Sequence, residues 1–146
     1  MKLDEIVTLW TTDSKIDDID LDNESLKVPI LHAKYLKHMY NEKLKLKSLM
    51  LKKKTLSKRL SEYYKGDLNN PEDLKEINRE PWPKTVLRQD LNTYIESDTD
   101  MVALLTKIAY QEEVVLLLED ILKMINNRGF QIKNAIEWRK LTQFGV

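Results

Sequence analysis

Strides of four and three residues from Val28 land on His32, Tyr35, Met39, Glu42, Leu46, Leu49, Lys53, Leu56, Leu60 and Tyr63. Eight of these eleven positions are apolar or aromatic, a heptad-type seam with three polar interruptions, and the pattern predicts one long α-helix. The stretch KLKLK at 43–47 alternates like a strand, but it is five residues inside a much longer helical pattern, and length decides for helix. Pro29 fits only the first turn of such a helix, because further in it removes a backbone hydrogen bond. The helix is therefore expected to begin close to Pro29, with Asp22, Asn23 or Ser25 as its cap and Gly66 as its end.

A second long helix is expected to open at Asp98 or Thr99. Its seam, Leu104, Ile108, Gln111, Val115, Leu118, Leu122 and Ile125, is apolar at six of seven positions. The run VVLLL at 114–118 makes this helix apolar nearly all round, wider than one partner helix covers. A chain of 146 residues has few other apolar elements to bury it, so self-association through these seam residues is expected. Gly129 in NNRGF reads as a C-cap, followed by a short final helix from Phe130 to Phe144 with Ile132, Ala135, Ile136 and Leu141 on one side.

The remaining segments are shorter. Leu3, Ile6, Val7 and Trp10 predict a short helix over Lys2 to Thr11. TTDSKIDDIDLDNES has the density of Ser, Thr and Asp that marks a loop, and GDLNNPEDLKEINREPWPK reads as an acidic, proline-containing linker. Trp82, between two prolines, is expected to anchor that linker by packing. KTVLRQDLNTYIES is expected to hold a short helix and an extended piece. The fold class is all-α, in one compact unit overall.

Composition agrees: four prolines, three glycines and a third of the residues charged suit long helices or coiled coil. No cysteine is present, which removes disulfides and thiolate metal sites and gives no reason to expect secretion. No apolar run reaches membrane-spanning length, and MKLDEIVTLW turns acidic where a signal peptide stays apolar, so a cytoplasmic location is expected. The formal net charge of zero conceals a division along the chain. Residues 1–24 carry two basic and eight acidic side chains; residues 34–65 carry eleven Lys or Arg against Glu42 and Glu62 alone. Residues 66–100 turn acidic again, with nine acids against four bases. Such segregation calls for a polyanionic partner or an acidic protein mate.

Catalytic and metal chemistry find no support. The three glycines do not cluster, so no phosphate-cradling loop is present. His32 and His38, without cysteine, make a poor zinc set. Asp18, Asp20 and Asp22 imitate the start of a calcium loop, but Asn23 occupies the glycine position and Pro29 the terminal ligand position. The acidic pairs Glu112 with Glu113 and Glu119 with Asp120 read as a solvated helix face. No enzyme, cofactor or metal is expected.

The basic helix is the remaining signal. Its excess of positive charge is too large for i,i+4 pairing with two local acids, and it ends in Tyr63 and Tyr64. Lys52, Lys53, Lys54, Lys58 and Arg59 are its densest part. Cations neutralise phosphates, and tyrosine faces stack on unpaired bases at about 1 to 3 kcal/mol per base, a combination suited to single strands. Five phosphate contacts would give a single-strand salt slope of roughly −3.5. One protomer would bind weakly, and an oligomer would gain through effective concentration.

KRLSEYYKG at 58–66, KTVL at 84–87 and the apolar helix closing on NNRGFQIKNAIEWRKL resemble the UvsY recombination mediators of tailed phages, over nearly the whole chain. ESLKVPILHAKYL resembles the start of the long helix in marine members. The resemblance implies a non-enzymatic, ring- or barrel-like homo-oligomer that binds single-stranded DNA, destabilises the resident single-strand-binding protein and loads a RecA-like recombinase. It implies C-terminal helices that drive oligomerisation and DNA contact by Lys58 and Arg59, with Tyr63 and Tyr64 in the same motif. The basic pair is adjacent here where the family pattern separates it by one residue, so Lys54 or Lys65 is the alternative to Arg59. The acidic segment after Gly66 is unlike the family pattern and takes no role from it. The expected division is a helical DNA-binding region over 1–66, a linker over 67–97 and a helical oligomerisation region over 98–146. Two rivals are a coiled-coil adaptor, whose basic helix pairs with the acidic arm Asp13 to Glu24 of a neighbour, and a peripheral membrane helix. The second is weakened because the basic block lacks tryptophan and phenylalanine.

Overall fold

A computed structural model describes residues 1–144 and contains five helices among them: α1 (Leu3–Asp13), α2 (Leu21–Tyr64), α3 (Pro71–Glu76), α4 (Leu91–Glu96) and α5 (Thr99–Phe144). The described residues hold no strand. The chain forms two compact units: Met1–Lys45 with Gln111–Val146, and Leu46–Tyr110. The first joins two separate stretches of the chain, the second is one continuous stretch, and each draws on both long helices.

In the first unit, α1, the early part of α2 and the later part of α5 close around Ile6, Tyr35, Met39, Val114, Leu118, Ile121, Leu122 and Ile125. One polar interruption of the α2 seam, Glu42, meets the polar interruption of the α5 seam, Gln111. Gln111 Nε2 donates to the Glu42 carboxylate at 2.7 Å and to the Glu42 carbonyl at 2.9 Å. Buried Arg128 donates to the carbonyls of Ser14 and Lys15, each at 2.9 Å, and reaches the Glu24 carboxylate at 3.1 Å. These contacts pair residue 42 with 111 and 24 with 128, so α2 and α5 run antiparallel here. Burial would raise the Glu42 carboxyl, but hydrogen bonds from Gln111, Lys45 and the Met1 amino group hold it below the usual range.

In the second unit, Leu60, Tyr63, Tyr64, Leu68, Leu74, Ile95 and Met101 form the core, with Trp82 and Tyr94 packed against it. Helix α2 ends as its glycine predicts. Gly66 has φ +82°, its N–H bonds to the Tyr63 carbonyl at 3.1 Å, and the Asp67 N–H bonds to the Glu62 carbonyl at 3.0 Å. That pair of bonds is the Schellman ending, which needs a left-handed residue after the cap. Asp98 opens α5: its carboxylate accepts the Asp100 N–H at 2.9 Å.

Four expectations are corrected. Helix α2 begins at Leu21, eight residues before Pro29, which lies inside it. Its first turn is held by buried Leu21 and Glu24, and the Ser25 carbonyl that Pro29 leaves without a donor lies on an exposed stretch open to water. The Asn-Pro pair in the linker starts a helix instead of breaking one. Asn70 caps α3 by accepting the Glu72 N–H at 3.0 Å, and Pro71 takes the first helical position, where no N–H is needed. Gly129 does not end α5, which runs through it to Phe144 because Arg128 and Ile132 on either side are buried and held. Lastly, Ile108, Val115, Leu118, Leu122 and Ile125 are buried within the chain itself, and Leu104 is half-buried. The seam expected to join subunits is occupied by intrachain packing, because α1 and α2 cover more of it than the sequence suggested.

Candidate nucleic-acid interface

The cations cluster on the part of α2 that belongs to the second unit. Lys52, Lys53, Lys54 and Lys58 are exposed, as is Lys65 just beyond the helix end. Among the described residues, none of the five has a carboxylate within ion-pair distance. At about 100° per residue, Lys47, Lys54 and Lys58 fall within about 40° of one another, on a strip about 17 Å long. Lys47 is exposed, unpaired and absent from the residues selected by charge density. Its signal was its spacing, seven residues before Lys54, on the same helical face.

Lys52 and Lys53 project about 120 to 160° to either side of that strip, so the run at 52–54 fans around the helix instead of concentrating on one face. Lys53 occupies a seam position and is nonetheless exposed. Arg59 is differently placed: half-buried, with Nη2 at 2.6 Å from the Glu76 carboxylate of α3. The acidic segment that had no assigned role therefore holds one of the two cations of the basic pair.

Tyr63 and Tyr64 do not present faces to solvent. Each is 7% exposed. Their rings lie 5.2 Å apart and meet Trp82 at 5.8 and 4.8 Å, and Tyr94 lies 5.5 Å from Tyr64. The Tyr63 hydroxyl donates to the Glu80 carbonyl at 2.8 Å, and the Tyr64 hydroxyl donates to Asp98 at 2.6 Å. Tyr63 is buried as its seam position predicts, and Tyr64, expected to point away from the seam and be free for a base, likewise has its ring and hydroxyl engaged within the chain. Trp82 is the packing anchor expected of it.

A buried ionic network completes this arrangement. Arg79 grips Asp98 with both terminal nitrogens, at 2.6 and 2.7 Å, contacts Asp100 at 2.9 Å, and lies 5.0 Å from the Tyr63 ring centre. Burial would raise the Asp98 carboxyl, but hydrogen bonds from Arg79 and Tyr64 hold it below the ordinary carboxylate range. Burial, reinforced by Asp98, pushes the Tyr64 phenol up. No group of three or more metal-ligating side chains lies together among the described residues, and no helix there is long and apolar enough to cross a membrane.

A family model described as "Recombination, repair and ssDNA binding protein UvsY" matches residues 9–144. Crystal structures of the bacteriophage T4 recombination mediator protein UvsY share the fold. One superposes with a TM-score of 0.84 at 22% identity, covering 98% of each chain. A second lattice form gives 0.84 at 22% identity over 95% of this chain and 98% of that one, and a third 0.82 at 21% over 92% and 96%. A search of curated protein sequences produced no match.

Proposed function

The chain belongs to the UvsY family, and from that membership we propose that it is a non-enzymatic recombination mediator that binds single-stranded DNA and promotes loading of a RecA-like recombinase in place of the single-strand-binding protein. The observation that carries the proposal is the concentration, along the second half of α2 and at its end, of exposed lysines that have no carboxylate partner among the described residues. Charges without internal mates keep their full attraction for phosphate, whereas a paired cation must first give up its partner. Lys47, Lys54 and Lys58 form the central contact, with Lys52, Lys53 and Lys65 beside it and Arg59 available once Glu76 releases it. Tyr63 and Tyr64 act indirectly, by fixing the end of the helix that displays the cations.

Self-association belongs to the same reading, carried by α5 through a different face from the buried seam. Leu116, Phe130, Trp138 and Leu141 are exposed and fall within about 80° of one another on that helix. The assembly multiplies weak protomer contacts on one strand, and its setting is the cytoplasm of the cell in which the recombinase works.

Fluorescence anisotropy of a labelled single strand and of its duplex, at several salt concentrations, tests this. Wild-type protein is expected to prefer the single strand, and Lys54→Ala/Lys58→Ala to flatten the slope of log K against log salt by about 1.4, two contacts at about 0.7 each. An unchanged slope in the double variant removes these lysines from the interface.

A further inference from the structure

The lysine strip on α2 does not by itself distinguish a single strand from a duplex. Phosphates are packed more densely on a duplex, and each contact there contributes about 0.9 to the salt slope against about 0.7 on a single strand. A surface of lysines alone therefore holds a duplex at least as well. Preference for the single strand requires a group that meets unpaired bases. Tyr63 and Tyr64, at the end of the same helix, are each 7% exposed and engaged within the chain, so they do not supply it.

Two apolar side chains lie on the strip itself. Met50 and Leu51 are 41% and 63% exposed, and neither joins either hydrophobic core. Both belong, with Lys47, Lys54 and Lys58, to the second compact unit. At about 100° and 1.5 Å per residue, Leu51 lies about 20° beyond one edge of the strip formed by the three lysines, and Met50 about 40° beyond the other. Along the axis, both stand within the interval of about 10 Å that separates Lys47 from Lys54. Lys52 and Lys53, the cations of that interval, project to other sides of the helix. The apolar pair therefore occupies the gap between two successive cations of the strip. Thr55, one turn beyond Leu51, turns its hydroxyl back to the Leu51 carbonyl at 3.2 Å, so the nearest hydroxyl on that side is spent on backbone.

We infer that Met50 and Leu51 are the base-contacting surface of the interface: with phosphates held at Lys47 and at Lys54, an intervening unpaired base lies against the apolar pair. The inference rests on the reading of the α2 lysines as phosphate contacts and adds the group that selects the single strand. A duplex keeps its base faces stacked inside and gains only the phosphate contacts, whereas a single strand gains both. The flexible, polarisable thioether of Met50 adapts to rings of different size. Neither side chain donates a hydrogen bond to a base edge, so the contact accepts any base.

Fluorescence anisotropy of the full-length protein tests this with a labelled oligothymidylate, a strand of the same length carrying abasic sites in place of its bases, and a duplex, each at several salt concentrations. Cations set the slope of log K against log salt, and an apolar contact shifts the line without tilting it. Wild-type protein is expected to bind the base-bearing strand at least about fivefold more tightly than the abasic one, the lower end of what one stacked base contributes. Met50→Ala/Leu51→Ala is expected to bind the two strands equally while keeping the wild-type slope and the wild-type duplex affinity. Both positions are exposed and alanine is the strongest helix former, so the helicity of this variant by circular dichroism is expected to match wild type. Leu51→Trp, which sets a broader ring face at the same place, is expected to restore the preference for the base-bearing strand in the Met50→Ala background. Equal wild-type affinity for the base-bearing and abasic strands, a double variant that still separates them as wild type does, or one that loses duplex and single-strand affinity alike, overturns the base contact and leaves the phosphate contacts standing. A wild-type line without slope removes the phosphate contacts, and the base contact with them.

Discussion

Replacing Asp98 by alanine tests the buried network that fixes the junction of α2, the segment before α4 and the start of α5. The carboxylate, 2% exposed at its side chain, makes four kinds of contact: with both terminal nitrogens of Arg79, with the Tyr64 hydroxyl, and with the N–H groups of Asp100 and Met101. Removing one member of a buried ion pair costs about 3 to 5 kcal/mol, mostly because the other charge stays behind. Here Arg79 retains Asp100 at 2.9 Å, and its own side chain is 17% exposed, so its charge is partly relieved. That places the pair loss at the low end, about 3 kcal/mol. Loss of the helix cap contributes about 1 kcal/mol more, not fully additive because the same oxygens serve both roles. The expected total is about 3 to 4 kcal/mol. With a urea m-value of about 2 kcal/mol per molar, the midpoint of the unit containing Asp98 falls by about 1.5 to 2 M, read by far-ultraviolet circular dichroism and by hydrogen exchange of the 91–110 amides. Asp98→Asn, which keeps an acceptor for the helix N–H groups, is expected to lose less. A midpoint shift below about 0.5 M for Asp98→Ala would refute the network as a principal support of this unit.

Three further outcomes follow from the geometry. Gly129→Ala is expected to stabilise the chain by about 0.5 to 1 kcal/mol in a thermal or urea melt, because Gly129 is helical, lacks a positive φ and has nothing within 4 Å of the added methyl; destabilisation would restore the capping role. The Glu24, Glu42 and Asp98 carboxyls are all held below their ordinary values. Each contributes stability that is complete above the unfolded carboxylate value near pH 4 and is lost as pH falls through the folded value, so the urea midpoint should be flat from about pH 7 to 5 and fall below about pH 4; a midpoint that rises on acidification contradicts the sign. Glu76→Gln releases Arg59 from its 2.6 Å contact and, if Arg59 then reaches phosphate, steepens the single-strand salt slope by about 0.7; a slope unchanged from wild type leaves Arg59 outside the interface.

Periodicity made both long helices legible. The seam of α2 named Tyr35, Met39, Glu42, Leu60 and Tyr63, all of which are buried, and the seam of α5 named six residues that are buried. Even the polar interruptions Glu42 and Gln111 were visible, though nothing along the chain said that they answer each other across 69 positions. Local punctuation was less dependable. Gly66 ended its helix and Gly129 did not, although both are glycines beside polar residues; the difference is that Gly66 adopts φ +82°, while Arg128 and Ile132 pin the backbone on both sides of Gly129 into the core. Pro29 was tolerated for a related reason, since Glu24 is locked to Arg128 one turn earlier. The candidate site divided in the same way. Exposure of Lys52, Lys53, Lys54, Lys58 and Lys65 agrees with their charge, but the burial of Tyr63 and Tyr64 and the capture of Arg59 by Glu76 depend on the segment at 67–97.

By itself the sequence determined the all-α class, the two heptad seams and the concentration of positive charge on α2. These are properties of short-range periodicity and of composition, which every local window of the chain carries. Only the tertiary structure decided which partner each seam meets, which cations stay unpaired, and which apolar residues remain outside after the core has formed. Those outcomes depend on contacts such as Arg128 with Ser14 and Tyr64 with Asp98, separated by 114 and 34 positions. A helix pattern specifies which face is buried, but the energy of burial is the same against any apolar surface, so it does not say whose surface that is.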